Sequence, residues 1–296
     1  MVRLGGEPES SHFEDRSGQS GGFGGGGGGF GLLLGLVGSR FGIVGVLVLL
    51  LGYCALTSLG GLGGIGGGGG GSSAESKLDA NVRTFLVRML GSTEETWGQL
   101  FAQSGARYTP TTLVAYSGGT QTQCGMGQAA MGPFYCPTDQ NIYIDPAFFN
   151  ELSQRFGAPG DFAMAYVIAH EVGHHIQNLE GTLERAQQAQ QGVGRTQGNQ
   201  IQVGVELQAD CYAGVWAANA RDAQGNILEP GDVEEGMRAA EAIGDDTLQK
   251  QTQGTVVPES FTHGTSAQRM EALRRGLTTG NPAACNYSRP LTGPGI

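Results

Sequence analysis

Runs of basic residues are missing from this chain. Lys and Arg together number 17 against 27 Asp and Glu, and the formal net charge is -10. Phosphate backbones are bound by clustered positive charge, so a nucleic-acid partner is not expected. Histidine and cysteine are scarce, at five each. That scarcity makes their placement informative, because three of the histidines fall within residues 170–175. Side chains themselves are sparse in two tracts, GGFGGGGGGFG at 21–31 and GGLGGIGGGGGG at 60–71. Such tracts cannot build a core. No internal repeat is visible.

Charge is wholly absent from FGIVGVLVLLLGYCALTSL, residues 41–59. Nineteen residues come close to the ~20 needed to cross the hydrocarbon layer. The preceding GLLLGLV (31–37) is also apolar but is separated from it by Ser39 and Arg40. The stretch starts too far from the N-terminus for a cleaved signal, and no small-x-small cleavage site stands out. It therefore predicts a single membrane span. Arg3, Arg16 and Arg40 precede it and the next positive residue is Lys77, which places the N-terminus in the cytoplasm and the remainder in the periplasm or outside the cell. The implied organisation is a low-complexity cytoplasmic tail at 1–31, a transmembrane segment at 32–60, a glycine-rich linker at 61–76 and a globular domain at 77–296.

About 220 residues suffice for one domain with a proper core. Periodicity predicts a helix over 77–90 and a second one starting at Ser92-Thr93-Glu94-Glu95. TTLVAY (111–116) and NIYI (141–144) have strand character. Asp145-Pro146 opens a helix to about Arg155, and Gly160-Asp161 opens FAMAYVIAHEVGHHIQNL. The Gln- and Gly-rich residues 181–200 suggest a helix end and a surface loop. Further helices are expected over 204–220, after Asp232, and over 265–276. The fold class is α+β, mostly helical with a small sheet. Outside the cytoplasm disulfides are permitted. Setting aside Cys54, in the apolar stretch, the favoured pairs are Cys124–Cys136, flanking a loop, and Cys211–Cys285, tying the C-terminus to a core helix.

His170-Glu171-Val172-Gly173-His174 is an HExxH motif. On a helix, residues i and i+4 share a face, so both imidazoles can point at one ion with the glutamate beside them. The bland alternative, two ordinary histidines, is weakened by the apolar FAMAYVIA leading into His170, where an unpartnered ring would be costly. A third ligand is available in Glu206-Leu207-Gln208-Ala209-Asp210, an ExxxD pattern on the next apolar helix. Glu206 completes a two-histidine, one-glutamate zinc site with its fourth position open to water. Asp210, one turn on, would accept a hydrogen bond from a ligand histidine. His175 lies 100° around the helix from His174 and is expected to be structural, and His12 to be solvated.

HEVGHHIQ followed by ELQADCYAGVWA resembles the bacterial neutral zinc metallopeptidases, a membrane-anchored family. SSHFEDRSG (10–18), GPFYCPTDQNIYID (132–145) and FTHGTSAQRMEALRRG (261–276) extend the resemblance over most of the chain. By its motifs that family is similar to the gluzincins, which implies a zincin-like domain whose sheet edge aligns a peptide; NIYI is the candidate strand. The resemblance implies hydrolysis of peptide or protein substrates. Glu171 would act as general base toward a zinc-activated water, and His263 is the candidate oxyanion donor. The competing function class is a non-catalytic zinc-containing domain that binds peptide or cell-envelope components; the intact Glu171 argues against it. A purely structural zinc site is disfavoured by three protein ligands in place of four.

Overall fold

The computed structural model describes residues 2–19 and 76–287. The strand β1 (Phe13–Asp15) comes first, within the stretch expected to be a free tail. That expectation, a tail at 1–31, is overturned for residues 2–19. Their sequence is not glycine-rich, and it carries apolar residues that the domain takes up: Val2 and Leu4 are buried in the core. The span expected over 32–60 lies outside the described residues, as does the 61–76 linker except for Ser76. Among the described residues no helix is long and apolar enough to cross a membrane.

Helix α1 (Ala80–Gln103) is capped by Asp79, whose side chain accepts from the backbone N–H groups of Asn81 and Val82. It is one helix where two were expected. Gly91 does not break it, because its missing Cβ is what admits the N-terminal segment: a Cβ there would lie 1.9 Å from the Pro8 carbonyl oxygen. Ser10 N–H then donates to the Val87 carbonyl at 3.0 Å, and Ser10 Oγ donates to Glu94 at 2.6 Å.

The sheet follows. Strand β2 (Thr112–Ala115) is central, β3 (Gly119–Thr122) and β4 (Gly125–Gln128) make a separate hairpin, and β5 (Phe134–Cys136) and β6 (Asn141–Ile144) complete a four-stranded sheet in the order β1-β2-β6-β5. β1, β2 and β6 are parallel and β5 is antiparallel. NIYI, as β6, is therefore an interior strand. The edges are β1 and β5, which corrects the candidate for a peptide-aligning strand: NIYI has no free edge because it pairs with β2 on one side and β5 on the other. The disulfide Cys124–Cys136 ties the hairpin to β5.

Helices α2 (Ala147–Gln154) and α3 (Asp161–Leu179) begin within a residue or two of the expected signals. The expected loop at 181–200 is largely helical, as α4 (Thr182–Gln191) and the first turns of α5 (Arg195–Asn219). Its Gln, Ala, Glu and Arg residues are good helix formers, and Ala186, Ile201 and Val205 pack there as a small core. A two-stranded ribbon, β7 (Arg221–Asp222) and β8 (Gly225–Asn226), precedes α6 (Asp232–Ala242) and α7 (Asp245–Gln253). Helix α8 (Ser266–Thr279) starts with a capping box between Thr265 and Gln268. The disulfide Cys211–Cys285 joins α5 to the segment after α8, as expected.

Candidate metal centre

Two helices build the site. α3 contributes His170, Glu171 and His174, and α5 contributes Glu206 and Asp210. The helices meet closely because Gly173, between the two histidines, lies against Ala209. A Cβ at Gly173 would approach the Ala209 carbonyl oxygen to 2.9 Å. The sequence motif HExxH and the pattern ExxxD are therefore pressed together at the glycine of one and the alanine of the other.

His170 Nε2 stands 3.2 Å from Glu206 Oε2, and His174 Nε2 stands 3.6 Å from the same oxygen. Ligands held ~2.1 Å from a tetrahedral ion sit about 3.4 Å apart. The three residues thus offer one ligand atom each at a spacing that fits a zinc ion, and this group could hold a metal. Electrostatics agree. Burial pushes the Glu206 carboxyl up, but the two imidazoles outweigh it and hold it well below the usual range. Burial works against charge on the His170 ring, yet Asp210 and Glu206 lift it to about 9. The buried Glu206 carboxylate needs positive charge nearby, which a divalent cation would supply while displacing the imidazole protons.

Each histidine has a support behind it. His170 Nδ1 is 2.7 Å from Asp210 Oδ1, so an Nδ1–H donated there leaves Nε2 facing the site. Asp210 also accepts from Tyr166 Oη at 2.6 Å and, at both oxygens, from Arg269 at 2.8 and 2.9 Å. Burial raises this carboxyl, but Arg269 and then His170 outweigh it and hold it at about 2. His174 Nδ1 lies 2.9 Å from Gln177 Oε1. The Gln177 amide donates onward to the Val205 carbonyl at 2.7 Å and to Gln208 at 2.9 Å. Gln177 and Arg269 were not singled out from sequence. The spacing alone could have marked Gln177, three residues beyond His174 on the same helix; Arg269 lies about a hundred residues from His170 and carried no local signal.

Glu171 is buried beside the pair, and its charge is among those acting on His174. His263 sits in the turn before α8. Asp245 Oδ2 accepts the backbone N–H groups of Thr262, His263 and Gly264 at 2.7, 2.6 and 3.0 Å, and Oδ1 lies 3.3 Å from His263 Nδ1. The His263 side chain is 51% exposed. Burial lowers its pKa, but Asp245 and then the charge of Glu206 outweigh that and raise it. The His263 ring thus faces solvent, held at its base by Asp245. His175 is turned away from the trio: its Nδ1 meets Tyr135 Oη at 3.0 Å and its Nε2 meets the Thr109 carbonyl at 2.7 Å. It fastens α3 to the edge strand β5. His12 pairs with Glu94 at 2.9 Å on the partly exposed N-terminal segment.

Comparison with known proteins places this geometry in context. YpfJ of Escherichia coli (strain K12) is 52% identical over 198 residues, covering 67% of this chain and 68% of its own length. Rv2575 of Mycobacterium tuberculosis (strain ATCC 25618 / H37Rv) is 41% identical over 226 residues, covering 73% and 74%. Neither name states an activity. No solved structure matches. A family model described as "Putative neutral zinc metallopeptidase" matches residues 2–288, which include both metal-site motifs and the N-terminal strand, and the chain belongs to that family.

Proposed function

We propose that this protein is a zinc-dependent peptidase in which His170, His174 and Glu206 hold the metal and Glu171 is the general base. The observation that carries this reading is the convergence of three ligand atoms from two helices on one point, each histidine backed by its own acceptor. Zinc bound there would lower the pKa of a coordinated water from ~15.7 toward about 7 and polarise a carbonyl. Glu171 takes the proton of the attacking water and passes it to the leaving amine nitrogen. His263, oriented by Asp245 and half-open to solvent, donates a hydrogen bond to the oxygen that gains charge. The antiparallel edge strand β5, tied to α3 through Tyr135 and His175, offers backbone groups to an extended peptide. The domain works outside the cytoplasm, a placement supported by its two disulfides.

The test compares two glutamates. Glu171→Gln should keep zinc while peptide turnover falls by ~10² to 10⁴. Glu206→Gln should lose zinc itself. If Glu171→Gln loses the metal and Glu206→Gln keeps it, the roles are reversed. Turnover of Glu171→Gln at the wild-type rate would end the hydrolytic reading and favour a binding domain.

A further inference from the structure

The two oxygens of Glu206 have different surroundings. Oε2 faces both imidazoles, 3.2 Å from His170 Nε2 and 3.6 Å from His174 Nε2. Oε1 accepts an N–H of the Gln202 side-chain amide at 3.0 Å. Gln202 lies one turn before Glu206 on α5 and is half-buried. Its amide is itself held. Gln202 Oε1 accepts from Gln190 Nε2 at 3.2 Å, and Gln190 Nε2 also donates to the Gly198 carbonyl at 3.2 Å. An inverted Gln202 amide would set its oxygen against the Glu206 carboxylate and its NH2 against the NH2 of Gln190. The relay therefore runs one way, from Gln190 near the end of α4, through Gln202, to one carboxylate oxygen.

A glutamine–glutamate pair at i and i+4 is ordinary on an exposed helix face. Here the acceptor is buried, and the donor is oriented from a second helix. What such a pair controls follows from carboxylate chemistry. A carboxylate can hold an ion through one oxygen or through both. The proposed reaction needs three protein ligand atoms and a fourth position left open for water. Both oxygens of Glu206 on the ion would fill that position. An oxygen already engaged by an N–H is a poorer ligand and stays turned toward its donor.

We infer that Gln202 is a positioning residue that restricts Glu206 to coordination through Oε2 alone, and that Gln190 fixes the Gln202 amide for this purpose. The inference rests on the reading of His170, His174 and Glu206 as a zinc site. It gives the polar helix α4 a part in the site: without contributing a ligand, it keeps one position on the ion free.

The experiment compares the full chain with two variants, each loaded with cobalt(II) in place of zinc. Gln202→Met keeps the side-chain length and removes the amide. Gln190→Met leaves the Gln202 amide free to turn. Four-coordinate cobalt absorbs strongly in the visible and five-coordinate cobalt weakly, so the spectrum counts ligands without any turnover. The expected result for Gln202→Met is a full complement of metal and a weakened absorption. With zinc, its kcat on casein should fall by roughly 10- to 100-fold, with KM unchanged. Gln190→Met should change in the same direction by less. A spectrum of wild-type intensity in Gln202→Met overturns the inference. Loss of metal as complete as in Glu206→Gln also overturns it, because Gln202 would then hold the ligand in place and not select its oxygen. Should Gln202→Met fail to fold, the spectrum and metal content of Gln190→Met decide by the same outcomes. A wild type that binds cobalt but cleaves no peptide ends the peptidase reading alone, and the spectra still decide the inference. A wild type that takes up no cobalt ends both.

Discussion

Arg269 shows what a single buried residue does for this site. It lies on α8, is 3% exposed, and grips both oxygens of Asp210 while also donating to the Ile243 carbonyl and to Tyr166. Asp210 is fully buried, so removing Arg269 leaves a carboxylate without its main counter-charge. Breaking such a pair typically costs about 3–5 kcal/mol. Arg269→Met is expected to lower thermal stability by an amount in that range, measured by denaturant unfolding; an unchanged midpoint would show that Tyr166 and His170 satisfy Asp210 by themselves. Gln177 acts differently. It holds the His174 ring and reaches the Val205 carbonyl, beside Glu206, so one amide links the two motif helices. Gln177→Leu should reduce zinc affinity by roughly 10- to 100-fold in a chelator competition. Gln177→Glu, which keeps the acceptor for His174 Nδ1–H, should lose less. Equal affinity in both variants and wild type would mean that helix packing alone aims His174. The grouping of His170, His174 and Glu206, with Asp210 behind His170, was legible in the sequence because the i to i+4 spacing within each motif is a local property of a helix. Arg269 was not, because nothing local distinguishes a buried arginine from a solvated one.

Between elements, the contact that matters most is α3 against α5. Gly173 and Ala209 set the helix separation, and the ligands flank them on both sides. Gly173→Ala is expected to push the helices apart, because the added methyl would meet the Ala209 carbonyl oxygen at 2.9 Å and its Cα at 3.0 Å. Overpacking of this kind costs about 1–3 kcal/mol, and zinc content should fall with the loss of ligand spacing. Gly98→Ala on α1 is the control. Nothing lies within 4 Å of a Cβ there, and alanine suits a helix interior better than glycine by roughly 0.5–1 kcal/mol. A melting-temperature comparison should therefore move the two variants in opposite directions, and a Gly173→Ala protein as stable and zinc-loaded as wild type would remove the close approach as a determinant. The same feature explains where sequence reading failed at this scale. Gly91 suggests a boundary between two helices when only α1 is considered, but it serves a segment some eighty residues earlier in the chain. The region 181–200 looked like a loop because its polarity hides Ala186, which packs against Ile201 and Val205 just beyond it.

At the scale of the whole molecule, the domain is assembled from two pieces of chain, and a boundary at residue 77 divides it wrongly. A version starting at 77 would lack Val2 and Leu4 from the core and β1 from the sheet, uncovering the edge of β2. Burial of each of those two apolar side chains contributes about 1.5–3 kcal/mol. Together with the lost strand pairing this is a large fraction of a typical domain stability of ~5–15 kcal/mol. Residues 77–296 alone are therefore expected to be poorly soluble or to melt far below the full chain. The remedy follows from the 3.1 Å hydrogen bond between Lys77 N–H and Ser17 Oγ. Because these residues are neighbours in space, residue 19 can be joined to residue 76 by a short Gly/Ser linker, omitting 20–75. That joined protein should recover the melting temperature, the zinc content and any peptidase activity of the full chain, and it should no longer sediment with membranes. Calorimetry and zinc analysis of the two versions side by side check the argument. If residues 77–296 alone are as stable as the joined protein, β1 and its preceding residues contribute nothing to the fold. If the joined protein is stable but still fractionates with membranes, lipid contact belongs to the domain surface and not to the omitted stretch.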